Sequence, residues 1–186
     1  MKLSYFSRTA GKKGEVNKLR REGSIPAVLY GQNQPVQPIF VKKDEVETFL
    51  RHMKAGLLST ALFELHDGHK THKAMIKEVQ YHRSTYAIEH IDFVLVNDKA
   101  MLTVNVPIQI AGASDCVGVK LGGFVRQSIR SLKVSCLLKD IPQEFTIDVR
   151  DMQIAQTKRL SDIVIPTGVK PIAKMNEVAV VIAKKV

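Results

Sequence analysis

Apolar and polar residues alternate along the second half of the sequence, most regularly from Leu102 to Ile110. Successive side chains of a strand point to opposite faces, so this period of two indicates a half-buried strand. Its apolar face would carry Leu102, Val104, Val106, Ile108 and Ile110. Pro107 has no backbone N–H to donate, so it should make this an edge strand or interrupt its ladder. Because Trp is absent and aromatic residues are few, the cores must be built from Val, Ile and Leu, and Val and Ile favour strands.

The other predicted elements are short. Residues 44–53 form the clearest helix, with an apolar stripe at helical spacing made by Val46, Phe49, Leu50 and Met53. Residues 14–23 indicate a basic helix that ends at Gly23, since glycine readily takes the left-handed conformation after a helix. We predict strands at residues 2–6, 25–30, 35–41, 61–65, 73–79, 88–96, 131–137, 144–149 and 178–182, loops at Gly118, Gly122 and Gly123, and a turn or short helical segment at 160–163.

A polar break at residues 97–99 suggests a domain boundary, so we expect a first domain at 1–97 and a second, β-rich domain at 98–186. Residues 1–10 have no apolar core, so we expect no signal peptide. The longest apolar runs, such as 178–183, are too short to span a bilayer. Cys116 and Cys136 share no close motif, and we expect them to be reduced, buried thiols.

Positive charge is concentrated at the start of the sequence. The formal net charge is +10. Residues 1–21 hold seven basic side chains against one acidic one, a net of +6, whereas residues 22–97 sum to −1 and residues 98–186 to +5. On the predicted helix, Lys18, Arg20 and Arg21 could lie along a phosphate backbone while Val16 and Leu19 face the protein. A solvated basic surface that keeps the protein soluble is the alternative.

Motifs of enzymes are missing. The segment from Gly11 to Gly14 lacks the spacing of a phosphate-binding loop, and neither G-x-G-x-x-G nor G-x-S-x-G occurs. His66, His69 and His72 resemble a metal cluster, but they surround a predicted hairpin turn and are better explained as exposed histidines than as zinc ligands. We therefore expect no catalytic residue, no metal and no cofactor.

A second candidate for binding is the segment Glu89-His90-Ile91-Asp92-Phe93. In a strand, His90 and Asp92 point to the same face, opposite Ile91 and Phe93. A donor and an acceptor on a rigid strand could read base edges or 2′-hydroxyls in the shallow minor groove of RNA. An ordinary surface His–Asp pair is the alternative.

Several motifs, in order, resemble one family over nearly the whole chain. They are Leu19-Arg20-Arg21-Glu22-Gly23-Ser24-Ile25-Pro26-Ala27-Val28-Leu29-Tyr30-Gly31, then Lys77-Glu78-Val79-Gln80 with residues 89–93, then Val106-Pro107-Ile108 to Gly112, Gly118 to Val125, Asp140-Ile141-Pro142 and Phe145 to Val149. They look like bacterial large-subunit ribosomal protein twenty-five in its longer, two-domain general-stress-protein (Ctc) form.

The resemblance implies a mainly β protein, with an N-terminal β-barrel that binds 5S ribosomal RNA and a β-rich C-terminal domain. It implies a cytoplasmic protein on the ribosome, beside other large-subunit components, with no membrane and no small-molecule substrate as partner. Together with the charge pattern, it makes nine residues candidates for RNA binding: Arg8, Lys13, Lys18, Arg20, Arg21, Tyr30, Gln80, His90 and Asp92. The alternative function is a stress-induced factor that binds ribosomes only transiently.

Overall fold

The computed structural model describes residues 2–9, 11, 13–31, 34–54, 56–68, 70–97 and 100–184, without the side chains of Lys13 and Gln34. The chain divides into two compact units, Met1–Ala100 and Met101–Val186. Within the described ranges, no helix is both long and apolar enough to cross a membrane. The chain is mainly β, as the sequence predicts.

The first unit is a closed β-barrel. Its strands are β1 (Lys2–Ser7), β2 (Ser24–Gly31), β3 (Gln34–Lys42), β4 (Leu62–His66), β5 (Thr71–Tyr81) and β6 (Ile88–Leu95); its helices are α1 (Lys13–Arg21) and α2 (Lys43–His52), with a 3₁₀ turn at Leu57–Thr60. Around the barrel the strands follow the order β1-β3-β2-β6-β5-β4. The β1–β4 pair closes the barrel and is parallel, as is the β2–β6 pair. The other pairs are antiparallel.

The interior of the barrel is filled by one side of each strand. Its largest fully buried side chains include Leu3, Ile25, Ile39, Phe63 and Phe93. Helix α2 adds the predicted apolar stripe to this core, because Val46 is buried and the Phe49, Leu50 and Met53 side chains pack against the cluster. Burial contributes roughly 25 cal/mol per Å² of apolar surface, so this core stabilises the barrel that carries the outer face described below.

The basic helix α1 ends at Arg21, two residues before the predicted end at Gly23. The Gly23 N–H donates to the Arg20 carbonyl at 3.3 Å, and Gly23 has a φ of 77°, which an L side chain adopts only at a cost. Val16 and Leu19 are half-buried, whereas Lys18, Arg20 and Arg21 are exposed. The helix therefore turns its apolar residues to the protein and its basic residues to solvent.

The second unit contains two small sheets. Their strands are β7 (Leu102–Ala111), β8 (Gly123–Gln127), β9 (Ser131–Cys136), β10 (Phe145–Asp148), β11 (Thr157–Arg159), β12 (Lys170–Pro171) and β13 (Val178–Lys184); α3 spans Val117–Lys120, and 3₁₀ turns occur at Leu138–Asp140 and Leu160–Asp162. One sheet has the order β10-β7-β9-β12 and the other the order β11-β13-β8. Cys116 and Cys136 are buried free thiols, as predicted.

Strand β7 corrects one of the two expectations for Pro107. The strand is not at an edge, because it lies between β10 and β9. Its pairing with β9 runs from Leu102 to Pro107, and its pairing with β10 begins at Ile108. Pro107, which has no N–H, is therefore the residue at which β7 stops pairing with β9, just before its pairing with β10 begins. This confirms the other expectation, an interrupted ladder.

The glycines of this unit correct a second expectation. Gly118 lies in helix α3 and Gly123 begins strand β8, rather than both lying in loops. A Cβ at Gly118 would come within 2.9 Å of the Gln153 backbone carbon and of Ile182 Cγ2. Glycine is needed there for close packing. Gly122, with a φ of 92°, does mark a turn.

Candidate nucleic-acid interface

Polar side chains share the outer face of the antiparallel pair β5–β6. Gln80 lies opposite His90, and Glu78 lies opposite Asp92. The intervening residues Val79 and Ile91 are opposite each other and point into the barrel. Two rungs of the barrel therefore present an amide, an imidazole and two carboxylates side by side.

His90 and Asp92 interact directly on this face. Nδ1 of His90 lies 2.8 Å from Oδ1 of Asp92, and the two side chains are 21% and 26% exposed. A hydrogen bond of this kind fixes the ring orientation and leaves Nε2 as the ring nitrogen that Asp92 does not engage. Partial burial holds both groups in place, so they form a rigid pair of hydrogen-bonding groups.

Tyr30 belongs to the same surface. It lies in β2 opposite Val94 of β6, two residues beyond Asp92. Burial raises the pKa of Tyr30, and the negative charges of Asp92 and Glu78 raise it further. The phenol therefore stays protonated at neutral pH and can donate a hydrogen bond to a ligand on this face.

A β-bulge connects this face to the basic helix. Between the pairs Gln80–His90 and Tyr81–Ile88, β6 advances by two residues while β5 advances by one, so Glu89 is the extra residue. The Glu89 carbonyl accepts hydrogen bonds from Arg20 Nη2 at 3.1 Å and Nε at 3.3 Å. Arg20 Nη1 also lies 3.3 Å from Asn17 Oδ1. The guanidinium of Arg20 thus ties α1 to the residue that precedes His90.

The remaining basic residues of α1 have local contacts. Arg21 Nε donates to the Asn17 carbonyl one turn earlier, at 3.3 Å. Lys18 Nζ lies 3.8 Å from Glu22 Oε1, an exposed pair that is worth little in water. Lys13 begins the helix, but its side chain lies outside the described residues. The structure does not bring Lys18 or Arg21 into contact with the strand face, although both remain available to a polyanion beside it.

Arg8 lies at the same level of the barrel as Asp92. The Arg8 N–H donates to the Pro38 carbonyl, Pro38 lies opposite Val28, and Val28 lies opposite Asp92. At roughly 4.8 Å per strand, β1 is about 14 Å around the barrel from β6. Arg8 Nε also donates to the Ile39 carbonyl at 3.0 Å, so its guanidinium is anchored at one end.

The sequence did not predict two residues of this site. A second bulge lies in β5 at Lys77 and shifts the alternation of side chains by one residue. Glu78 therefore faces outward. The Glu89 carbonyl is accessible to Arg20 because of the first bulge. A bulge shifts the alternation by one residue, and the local amino-acid pattern gives no reliable sign of where it falls.

Two of the three clustered histidines, His66 and His72, lie in the described part of the chain. No group of three His, Cys, Asp or Glu side chains there could hold a metal ion. His66 lies close to the Thr71 hydroxyl, and His72 lies beside the ring of Tyr5. His69 is outside the described residues.

Fold and site together define a two-unit, mainly β protein whose barrel carries a hydrogen-bonding strand face beside a basic helix. The profile of the Ribosomal L25p family matches residues 3–93, and that of "Ribosomal protein TL5, C-terminal domain" matches residues 101–185. Proteins called "Large ribosomal subunit protein bL25" are similar over the full length of both chains. Those of Chlamydia abortus and Chlamydia trachomatis serovar L2 are 40% identical, and that of Chlamydia pneumoniae is 38% identical.

The chain belongs to the ribosomal L25p family, in the form that carries the second domain. This is a family of ribosomal proteins, in agreement with a sequence that contains no enzyme motif.

Proposed function

We propose that this protein is a structural component of the large ribosomal subunit and that it binds 5S ribosomal RNA through its N-terminal barrel. The observation that carries the proposal is the His90–Asp92 pair at 2.8 Å, held on an outer strand face that Arg20 ties to the basic helix. Family membership and the names of the relatives support the ribosomal location, which is cytoplasmic in bacteria.

The chemistry of the face suits the minor groove of an RNA helix. The groove displays 2′-hydroxyl groups and base edges, including the amino group of guanine, which needs an acceptor. Asp92 and Glu78 are acceptors, Tyr30 is a donor, and Gln80 is both. A face that only neutralised phosphates would not need carboxylates, so Asp92 and Glu78 favour recognition of base edges and sugars over general attraction to a polyanion.

The basic residues supply a different part of the binding free energy. Lys18 and Arg21 are exposed on α1, beside the point where Arg20 reaches the strand face. Cations near phosphates release condensed counterions, which makes affinity depend on salt but not on sequence. In this proposal α1 strengthens binding, and the β5–β6 face selects the RNA.

The test is a comparison of two RNAs by gel shift at several salt concentrations. We expect the protein to bind 5S ribosomal RNA more tightly than an unrelated RNA duplex of the same length. Equal affinity for both RNAs would contradict the proposal. Washing ribosomes with high salt separates the two ribosomal roles, because a constituent stays on the large subunit and a transient stress factor leaves.

A further inference from the structure

The turn between β5 and β6, residues 82–87, extends from the strands that carry the proposed RNA-binding face. We call these residues the hairpin tip. The hairpin tip follows Tyr81, the last residue of β5, which lies opposite Ile88, the first residue of β6. Ile88 is two residues from His90, with the bulged Glu89 between them, so at most roughly 7 Å separates them along the strand. An RNA that covers His90 and Asp92 and continues in the direction of the strands would therefore reach the tip.

The backbone of the hairpin tip is held by its own hydrogen bonds. The His82 N–H donates to the Ala87 carbonyl at 2.8 Å, and the Tyr86 N–H donates to the His82 carbonyl at 3.0 Å. The N–H groups of Ser84 and Thr85 both donate to Nδ1 of His82, at 3.3 and 3.2 Å. Backbone groups and the His82 ring thus give the turn a defined shape before any ligand arrives.

Tyr86 stands out within this turn. Its φ is 55°, in the left-handed region, where a residue other than glycine or asparagine is strained. Its side chain is 78% exposed, the most exposed ring among the large apolar side chains of the described residues. Burial does not offset the strain, because the ring faces water. Strain of this kind is concentrated at functional sites, which suggests that the ring has a ligand.

The chemistry of the hairpin tip fits RNA better than protein. The exposed residues from His82 to Tyr86 include Arg83 and two hydroxyl side chains, and none is acidic. An unpaired base can stack on an aromatic ring while a guanidinium binds the adjacent phosphate. A protein interface needs a larger buried apolar centre than Tyr86, the adjoining exposed ring of Tyr81 and short polar residues supply.

We propose that the hairpin tip is a second RNA contact, in which an unpaired base stacks on Tyr86 and Arg83 binds a flanking phosphate. The proposal rests on the proposed function, because it extends the same RNA-binding face. The RNA is either 5S ribosomal RNA or the long RNA of the large subunit, and both offer the same chemistry.

The test uses the full chain with Tyr86→Asn, because asparagine tolerates the left-handed backbone and removes the ring. Tyr86→Phe is the matched control that keeps the ring. Binding is measured to 5S ribosomal RNA and, separately, to the long large-subunit RNA freed of 5S RNA and protein. For at least one of the two RNAs we expect Tyr86→Asn to weaken binding roughly 5- to 100-fold, the range for loss of one base–aromatic stack, and Tyr86→Phe to bind as the unmodified protein does.

A second variant tests the phosphate contact. Arg83→Ala should reduce the slope of log affinity against log salt by about one charge on the RNA that responds to Tyr86→Asn. Thermal unfolding is measured for each variant, and Tyr86→Asn should unfold no earlier than the unmodified protein, since the strain is relieved.

The outcomes separate the two proposals. If the unmodified protein fails to bind 5S ribosomal RNA, the proposed function is wrong, and the hairpin tip is judged on the long RNA alone. If Tyr86→Asn binds both RNAs as the unmodified protein does, the hairpin proposal is wrong. It is also wrong if the variant binds both free RNAs normally but binds less tightly to large-subunit particles that retain their proteins, because the tip would then contact a protein.

Discussion

The guanidinium group of Arg20 donates from Nε and Nη2 to a single acceptor, the carbonyl oxygen of Glu89, at 3.3 and 3.1 Å. Glu89 is the extra residue of a β-bulge and immediately precedes His90. From the sequence, Arg20 is a candidate phosphate ligand. In the structure, its guanidinium group contacts the backbone of β6. Arg20 links α1 to β6, so it can influence RNA binding by holding the strand face in position.

This role makes a prediction for Arg20→Ala that differs from the loss of a phosphate contact. We expect weaker binding to 5S ribosomal RNA with little change in the salt slope, whereas removal of a direct phosphate contact lowers the slope by about one. Arg20→Lys should not restore affinity, because an ammonium group cannot reproduce the two guanidinium donors. The control is Arg51→Ala, which removes an exposed arginine of α2 paired only loosely with Glu47. A slope that falls by a full charge would show that Arg20 binds phosphate directly.

Asp92→Asn should reduce discrimination more than affinity for RNA in general. The change keeps the shape of the side chain but removes the charged acceptor that holds His90 on the proposed RNA-binding face. Hydrogen bonds to charged groups contribute about 1.5–3 kcal/mol, so the preference for 5S ribosomal RNA over an unrelated duplex should fall roughly 10- to 100-fold. Asp44→Asn, at an exposed position in the first turn of α2, is the control and should leave that preference unchanged. An unaltered ratio for Asp92→Asn would remove this carboxylate from the recognition surface.

The second unit provides a prediction about acid titration. The side-chain and backbone hydrogen bonds from Arg150 lower the pKa of Asp148 from 3.8 to about 2. Because the folded pKa is depressed, the ion pair favours the folded state at pH values above the unfolded pKa. That contribution is lost as the pH falls from about 4 to about 2. NMR titration of the Asp148 carboxyl group should show a midpoint near 2, and Arg150→Gln should move it back toward the ordinary value. A midpoint near 4 in the unmodified protein would mean that the pair does not form in solution.

Gly118→Ala should destabilise the second unit by about 1–3 kcal/mol, because overpacking of a close contact forces the backbone or its neighbours to move. The added Cβ would lie 2.9 Å from both the Gln153 backbone carbon and Ile182 Cγ2. Chemical denaturation measures the change. Gly14→Ala is the opposite case, because nothing lies within 4 Å of its Cβ position and alanine is favoured in a helix by about 0.5–1 kcal/mol. If both variants changed stability in the same direction, the packing at Gly118 would not be the cause.

The spacing of apolar residues and the positions of glycine and proline are enough to predict most strands of the chain and both helices of the first unit. Residues 88–96 were predicted as a strand, and β6 spans Ile88–Leu95. Residues 14–23 were predicted as a helix, and α1 spans Lys13–Arg21. These elements have strong local signals, such as the glycine stop at Gly23 and the apolar stripe of α2. Strand β8 was missed, because it begins at Gly123 and has an exposed Phe124, so its pattern resembles a loop.

The sequence by itself determined that His90 and Asp92 share a face, because two residues separated by one position lie on the same side of any regular strand. It also determined that positive charge begins the chain and that the family motifs occur in order. Only the tertiary structure decided that Glu78 stands opposite Asp92 and that Arg20 reaches the Glu89 carbonyl. The first depends on the bulge at Lys77, and the second depends on the bulge at Glu89 and on the meeting of segments about 70 residues apart in sequence. A local pattern does not specify where a bulge falls or which distant segments meet, since packing of the whole barrel selects them.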